Sequence, residues 1–201
     1  MIIDVLQCLD KEIDKIKSLK TPIELNVLGS TALFLQSNYE RKTKDIDFFE
    51  IEHTSSHPSF EASVIQKIGG KASGFHKLHG VFFEFVSKNI LFIPQRPIFN
   101  TCDNINENFK NILLRVLDVH DVIVSKIKPY RPTDREDIKT MIEQGLVDHQ
   151  KLVERFKLAM YKWELDRAYL FKDLIKNLND MEQSFFEVEP SQFDLPRWAD
   201  D

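Results

Sequence analysis

Apolar residues first recur at helical spacing and then alternate with polar ones. Ile3, Leu6, Leu9, Ile13 and Ile16 fall on one helical face, which predicts an amphipathic N-terminal helix packed on a sheet rather than a membrane anchor. Runs of strand-forming residues follow. The predicted strands lie near residues 23–28, 45–51, 81–86, 90–93 and 112–117, and a further helix is predicted around 59–68.

From residue 118 onward the pattern is helical. Apolar residues recur at intervals of three and four over 148–163 and 165–185, as amphipathic helices require. We therefore predict an α+β fold with a mixed β-sheet flanked by helices. The predicted organisation is a core over 1–117, a helical C-terminal segment over 118–186 that packs on the core, and an acidic, loosely ordered tail over 187–201.

Composition limits the classes of partner. The 201 residues are 42% hydrophobic and include 16 Phe, which is typical of a folded globular protein. A net charge of −5 argues against binding duplex DNA, because proteins of that class need a basic surface. The basic cluster of Arg41, Lys42 and Lys44 still leaves a short RNA end as a plausible partner.

The sequence also predicts the cellular location and the state of the two cysteines. No apolar stretch reaches the length of a membrane span, and Asp4, Asp10 and Glu12 lie where a signal peptide would be basic and then apolar. We expect a cytoplasmic protein. Cys8 and Cys102 are far apart without metal-ligand spacing, so we expect reduced thiols that are not part of a site.

Four histidines form two close pairs in the sequence. His53 lies near His57, and His76 lies near His79. Both pairs flank Ser-, Pro- or Gly-containing segments and lack partner ligands. We interpret them as surface histidines.

Two carboxylates one residue apart form the main candidate site. Asp45 and Asp47 alternate with Ile46 and Phe48, so on a strand both acids leave the same face. Their Cα atoms would lie roughly 6.6 Å apart at a rise of about 3.3 Å per residue. A hard cation such as Mg²⁺ would relieve their repulsion and bridge nucleotide phosphates. The alternative is a solvated strand edge.

A glycine-serine corner precedes the acid pair. The predicted strand 23–28 leads into Gly29, Ser30 and Thr31, and an apolar helical run follows. Free N–H groups at a helix start favour phosphate, and glycine allows close approach to the backbone. Ser30 and Thr31 add hydroxyl donors. Alternatively, Ser30 is only an N-cap and Gly29 only a turn residue.

The succession of corner, helix and acid pair resembles a known signature. Gly29-Ser30, followed by Thr43-Lys44-Asp45-Ile46-Asp47, is similar to the DNA polymerase β-like nucleotidyltransferase superfamily. The nearest likeness is to the bacterial branch that contains toxin nucleotidyltransferases of type IV toxin-antitoxin (abortive infection) systems and their uncharacterised relatives. The gap between corner and acids is longer here, and we attribute it to a loop over 36–40.

A second similarity lies downstream. Lys126, followed by Asp134 and Asp137, resembles the motif that closes the active site in this branch. Asp118 is placed to cap the helix that carries Lys126, and Pro132 suits the first turn of the next helix, which ends before Gly145. The resemblance implies that Lys126 contacts the triphosphate and that Asp137 orients Lys126 or a nucleophile. Ordinary helix-dipole complementation is the alternative.

The superfamily also uses a third acid on a neighbouring strand. Glu84 is the one carboxylate in the apolar run 81–86, and an unpaired buried charge there would be costly. It therefore faces either a cation or solvent. Metal ligation, general-base catalysis and a plain exposed strand residue all remain open for Glu84, since the usual third residue is aspartate.

The resemblance implies Mg²⁺-dependent transfer of a nucleoside monophosphate from an NTP to an acceptor hydroxyl on RNA, a protein or a small molecule. Two Mg²⁺ ions, with Mn²⁺ as an alternative, are expected on Asp45, Asp47 and Glu84. No Walker Gly-Lys-Ser/Thr loop is present. Expected partners are the NTP and either an RNA acceptor or an antitoxin protein. The alternative function is a catalytically silent module on the same fold that binds a nucleotide or a protein partner.

Overall fold

The computed structural model describes residues 2–16, 21–39, 42–49, 60–87, 89–163 and 171–193. It confirms the predicted α+β fold. The chain divides into two compact units. The first comprises Met1–Leu91 with Phe99–Leu117, and the second comprises Phe92–Ile98 with Asp118–Asp201. No helix in the described ranges is long and apolar enough to cross a membrane.

The first unit is a sheet with flanking helices. Its helices are α1 (Ile2–Asp14), α2 (Gly29–Gln36), α3 (Phe60–Gly69), α4 (Gly74–His79) and α5 (Asp103–Asn106). Its strands are β1 (Ile23–Val27), β2 (Asp45–Phe49), β3 (Phe82–Val86), β4 (Phe99–Thr101) and β5 (Ile112–Leu117). The five strands pair in the order β3-β2-β1-β5-β4. The sheet is mixed because β1–β5 and β2–β3 are parallel, whereas β1–β2 and β4–β5 are antiparallel.

Strand alternation gives the sheet one apolar and one polar face. The most deeply buried residues of the apolar face are at most 1% exposed, and they are Leu25, Val27, Ile46, Phe48, Phe83, Leu114 and Val116. The pairing register puts the intervening polar residues together on the other side. This polar face carries Glu24, Asn26, Asp45, Asp47, Glu84 and Arg115.

The helices cover apolar surface as their periodicity requires. The buried side of α1 carries Leu6, Leu9 and Ile13, none of them more than 1% exposed. Asp10 lies on that side too, and its carboxylate accepts hydrogen bonds from the N–H groups of Lys110 and Asn111. Helix α3 approaches β3 closely, since a Cβ at residue 69 would overlap the Phe83 ring.

One predicted strand was wrong, and one helix was missed. Residues 90–93 form no strand. Phe92 and Ile93 are buried by side-chain packing in the second unit, where the Phe92 ring lies 5.5 Å from that of Phe156. Helix α4 was missed, and it carries His76 and His79, both of them half-buried. His53 and His57 fall outside the described residues.

Strand β4 was also missed, because a three-residue run has no usable periodicity. Its pairing with β5 places Asn100 opposite Val116. The two cysteines are both free in the structure. Burial raises the pKa of the Cys102 thiol, and the neighbouring Asp103 carboxylate raises it further.

The second unit is helical. Its elements are α6 (Val119–Ile127), α7 (Pro132–Glu143), α8 (His149–Trp163), α9 (Phe171–Met181) and a π-helical turn at Glu182–Phe186. Asp118 caps α6 by accepting the His120 N–H, and Pro132 is the first residue of α7, as predicted. Burial opposes ionisation of Asp118, yet hydrogen bonds from His120 and Lys151 outweigh it and hold the pKa of that carboxyl well below its usual range.

A buried ion pair connects α6, α8 and the segment 92–98. The Asp121 carboxylate is fully buried and receives two hydrogen bonds from Arg155, at 2.6 and 2.7 Å. Asp121 also accepts the N–H of Ile98, and Arg155 donates to the carbonyl of Arg96. These contacts attach residues 92–98 to the helices of their unit.

Ser191 and Phe193 in the predicted tail contact the helices of the second unit. Glu182 is 0% exposed and binds both the Ser191 hydroxyl and the ring Nε2 of His149. The Phe193 ring packs on Phe156 with centroids 5.5 Å apart. Residues 194–201 lie outside the described residues. Residues 165–170, the first part of the predicted helix 165–185, lie outside them as well.

We expect Arg155→Ala to lower the free energy of unfolding by about 3–5 kcal/mol, because it leaves the buried Asp121 charge unpaired. Lys139→Ala is the control. It breaks an exposed ion pair with Glu143, and such pairs contribute less than about 1 kcal/mol. Chemical denaturation measures both, and equal losses in the two variants would contradict the role assigned to the buried pair.

Candidate functional site

The two candidate acids lie side by side on the polar face of the sheet. Ile46 and Phe48 are 0% exposed on the opposite face, whereas Asp45 and Asp47 are both half-buried. The apolar neighbours are sequestered in the core, so they determine which way the acids point. The strand extends over Asp45–Phe49, and residues 50–51 of the predicted strand lie outside the described residues.

Asp45 is positioned by its own chain. The Thr43 hydroxyl lies 2.9 Å from Asp45 Oδ1 and 3.0 Å from the Asp45 carbonyl oxygen. One carboxylate oxygen of Asp45 is therefore oriented by a local hydrogen bond before any ligand binds. The sequence alone assigns Thr43 no role of its own. Thr side chains commonly hydrogen-bond to backbone groups of neighbouring residues, as Thr43 does here.

The glycine corner lies against the acid pair. The Leu28 N–H donates to the Asp47 carbonyl at 2.8 Å, which holds the end of β1 beside β2. Gly29 has φ +59°, in the left-handed region. A Cβ at that position would lie 3.1 Å from Asp47 Oδ2. The absence of a side chain at residue 29 thus leaves room directly beside this carboxylate.

The start of helix α2 does not fit the alternative in which Ser30 is only an N-cap. The N-cap residue is Leu28, which makes no side-chain cap, and Ser30 lies in the first turn. Ser30 is half-buried. Thr31 is only 2% exposed, and its hydroxyl has no hydrogen-bond partner among the described residues. Of the two hydroxyls predicted to bind nucleotide, that of Ser30 is therefore the more accessible.

Glu84 is the direct neighbour of Asp47 across the β2–β3 pairing. The parallel register sets these two residues opposite each other, so their side chains leave the same face. Glu84 is exposed. Within the described part of the chain, no three Asp, Glu, His or Cys side chains converge into a metal-binding cluster. A role for Glu84 as ligand or base therefore stays a prediction.

The donor set nevertheless suits a hard cation. Mg²⁺ in nucleotide sites is held by one or two carboxylates and by substrate phosphates, so a complete protein cage is unnecessary. Asp45 and Asp47 supply two oxygen ligands on one face, and the space beside Gly29 adjoins one of them. The start of α2 offers backbone N–H groups to a phosphate at the same corner.

Lys126 and Asp137 lie in the second unit, in a buried ion cluster. Lys126 Nζ lies 2.8 Å from Asp137 Oδ2 and 2.9 Å from Asp134 Oδ1. Asp137 is 0% exposed, and the other two are nearly buried. The cluster joins α6 to the first turns of α7. Asp134 also accepts the Arg131 N–H there, which satisfies a backbone donor at the start of α7.

Sequence reasoning missed three polar residues on the face that carries the acids. Glu24 and Asn26 lie on β1, and Arg115 lies on β5 directly beside Asn26. Arg115 donates to Glu24 at 3.1 Å, and so does the Asn26 amide at 3.2 Å. The signal was the alternation of Glu24 and Asn26 with Ile23, Leu25 and Val27, which marks a strand with one polar face.

Comparison with known proteins gives one family assignment. The family model described as "Nucleotidyltransferase of unknown function" (DUF6036) matches residues 4–186. That range includes the acid pair, the glycine corner and the buried lysine cluster. No curated protein and no solved structure matches the chain significantly.

We expect Gly29→Ala and Gly80→Ala to lose similar stability, about 1 kcal/mol each, because both force alanine into a left-handed conformation. Gly80 is the matched control, with φ +71° and open space around a Cβ. Only Gly29→Ala crowds Asp47. Its affinity for Mn²⁺, measured by calorimetric titration, is therefore expected to fall, whereas that of Gly80→Ala stays at the wild-type value. Equal Mn²⁺ affinities in the two variants would refute the proximity argument.

Proposed function

Because the chain belongs to the nucleotidyltransferase family of unknown function that matches residues 4–186, we propose that it transfers a nucleoside monophosphate from an NTP to an acceptor hydroxyl. The supporting observation is the contact between the glycine corner and the acid pair. A Cβ on Gly29 would lie 3.1 Å from Asp47 Oδ2. The backbone proposed to bind phosphate and the carboxylates proposed to bind the cation are thus adjacent in one unit.

In the proposed reaction, the acceptor oxygen forms a bond to the α-phosphorus of the NTP. The bond from that phosphorus to the oxygen bridging the α- and β-phosphates breaks, and pyrophosphate leaves with that oxygen. The hydroxyl proton passes to a carboxylate. Glu84 is the candidate for this step because it is exposed and lies beside Asp47 in the strand register.

The chain's own residues position the reactants. Asp45 and Asp47 would hold Mg²⁺, with the Thr43 hydroxyl orienting one oxygen of Asp45. The N–H groups at the start of α2 and the Ser30 hydroxyl would bind the phosphates. When bound, Mg²⁺ neutralises charge on the triphosphate and lowers the pKa of the attacking hydroxyl.

Lys126 and Asp137 lie in the second unit, and the roles proposed for them are those that the resemblance implies. Lys126 is a compact cation with three N–H donors, and two carboxylates hold it in place. The fully buried Asp137 orients the Lys126 ammonium in this scheme. The contact of Lys126 with the triphosphate, which the resemblance implies, stays a prediction.

The acceptor is proposed by class. A net charge of −5 disfavours long duplexes, so a short RNA end, a protein hydroxyl or a small molecule is the proposed acceptor in the cytoplasm. We also propose that the protein acts as the toxin of a toxin-antitoxin pair. Growth arrest on expression that requires Asp45 would support this, and unimpaired growth would contradict it.

A catalytically silent nucleotide-binding module is the second candidate. It is favoured by the exposed Glu84 and by the absence of a three-carboxylate cluster in the described ranges. Such a module would bind an NTP with Mg²⁺ without releasing pyrophosphate. A panel of the four NTPs, assayed for both binding and pyrophosphate release with total cellular RNA as acceptor, separates the two candidates.

We expect Asp45→Asn and Asp47→Asn each to lower Mg²⁺-dependent pyrophosphate release by about 100-fold or more, because both remove a cation-binding charge at the reacting phosphate. Asp103→Asn makes the same change on an exposed residue of the first unit and is expected to retain full activity. Circular dichroism checks the fold of each variant. Unchanged release in both acid-pair variants would disprove the proposed site.

A further inference from the structure

A second polar group lies beside the acid pair on the same face of the sheet. Asn26 and Arg115 are direct partners in the parallel β1–β5 pairing. Because Val27 pairs with Phe48, Asn26 lies opposite Phe49, two residues along β2 from Asp47. Cβ atoms in such diagonal positions are about 7 Å apart or less. Asn26 and Arg115 thus lie within one nucleoside's length of the acid pair.

The Asn26 side chain is almost completely buried, but its hydrogen bonding is incomplete. Asn26 is 4% exposed, and its amide nitrogen donates to Glu24 Oε1 at 3.2 Å. A carboxylate only accepts hydrogen bonds, so this contact determines the orientation of the amide. The amide oxygen is therefore directed away from Glu24, and it has no hydrogen-bond partner among the described residues.

Arg115 presents an unpaired donor next to this unpaired acceptor. One terminal nitrogen donates to Glu24 at 3.1 Å, and the other donates to the Phe99 carbonyl at 3.1 Å. The Nε atom is buried and has no partner in the described part of the chain. Buried polar groups in folded proteins are nearly always paired. Two unpaired groups of opposite kind on directly paired residues are chemically suited to a ligand that supplies both partners.

Two aromatic rings extend over the same part of the sheet. Phe49 lies on β2 and Phe99 on β4, three strand spacings apart, or roughly 14 Å. Their ring centroids are nevertheless only 5.5 Å apart. Both side chains leave the polar face, so the rings meet above β1 and β5. They offer flat apolar surface on the face that carries Asn26 and Arg115.

From this arrangement we propose that Asn26, Arg115, Phe49 and Phe99 form the subsite for the nucleobase of the NTP. The inference rests on the proposed nucleotidyl transfer. A nucleobase is flat, stacks on aromatic rings, and carries an acceptor beside a donor on its edge. Its donor would bind the Asn26 oxygen, its acceptor would bind Arg115 Nε–H, and its face would replace the contact between the two rings.

The test compares ligands with and without a base. Calorimetric titration with Mg²⁺ measures the affinity of the wild-type protein for each of the four NTPs and for inorganic tripolyphosphate. We expect at least one NTP to bind about 10-fold or more tightly than tripolyphosphate, as a hydrogen-bonding subsite requires. Asn26→Leu is expected to reduce this ratio towards 1 while its tripolyphosphate affinity stays unchanged. Its thermal stability is expected to equal or exceed that of the wild type, because an unpaired buried oxygen is removed.

Two further variants complete the test. Arg115→Met keeps the aliphatic stem but removes the Nε donor, so it is expected to lower the same ratio even if Asn26→Leu does not fold. Leu113→Ala is the control on the same strand and face, at an exposed position, and it is expected to leave both affinities unchanged.

The outcomes separate this inference from the proposed function. Equal binding of tripolyphosphate and every NTP by the wild type would overturn the nucleobase subsite and leave the phosphate and cation site standing. A wild-type ratio in both Asn26→Leu and Arg115→Met would overturn it in the same way. If the wild type binds neither NTP nor tripolyphosphate, the proposed function fails and the subsite fails with it.

Discussion

The candidate site depends on one main-chain contact, the hydrogen bond from Leu28 N–H to the Asp47 carbonyl. It joins the end of β1 to the middle of β2, and so it brings the glycine corner to the strand that carries both acids. A side chain at residue 29 would then crowd Asp47. The left-handed conformation of Gly29 lets the chain turn at this point from strand into helix without filling the space beside the carboxylate.

The two faces of the sheet carry different kinds of residue, and this arrangement positions the acid pair. On one face, Ile46 and Phe48 are fully buried with Phe83, whose ring lies 5.7 Å from that of Phe48. The other face carries polar side chains from all five strands, with Thr101 of β4 opposite Arg115. A one-residue slip of β2 would exchange the two sets, and would place two carboxylates in the core at a large cost. The packing of the apolar face therefore stabilises the arrangement of the acids.

The second unit shows how a helical segment holds charge in its interior. Asp121 is paired with Arg155, and Lys126 with Asp134 and Asp137. Each cluster connects different helices, and Asp121 also holds the N–H of Ile98. Buried ion pairs add little net stability over apolar packing, but they tolerate few alternative arrangements. The two carboxylates therefore hold the Lys126 ammonium in a defined position.

Local sequence pattern determined much of this protein. Runs of strand-forming residues marked β1, β2, β3 and β5, and alternation predicted the common face of Asp45 and Asp47, while Asp118 and Pro132 marked two helix starts. Periodicity and capping act over a few residues, which is why they could be read directly from the chain. Tertiary structure decided the rest. Phe92 and Ile93 are packed among helices although their composition is that of a strand, and Phe99–Thr101 is a strand only because β5 pairs with it. The pairing of Asp47 with Glu84, and of Asn26 with Arg115, likewise depends on strand order and register. These contacts join residues far apart in the sequence, so no local pattern specifies them.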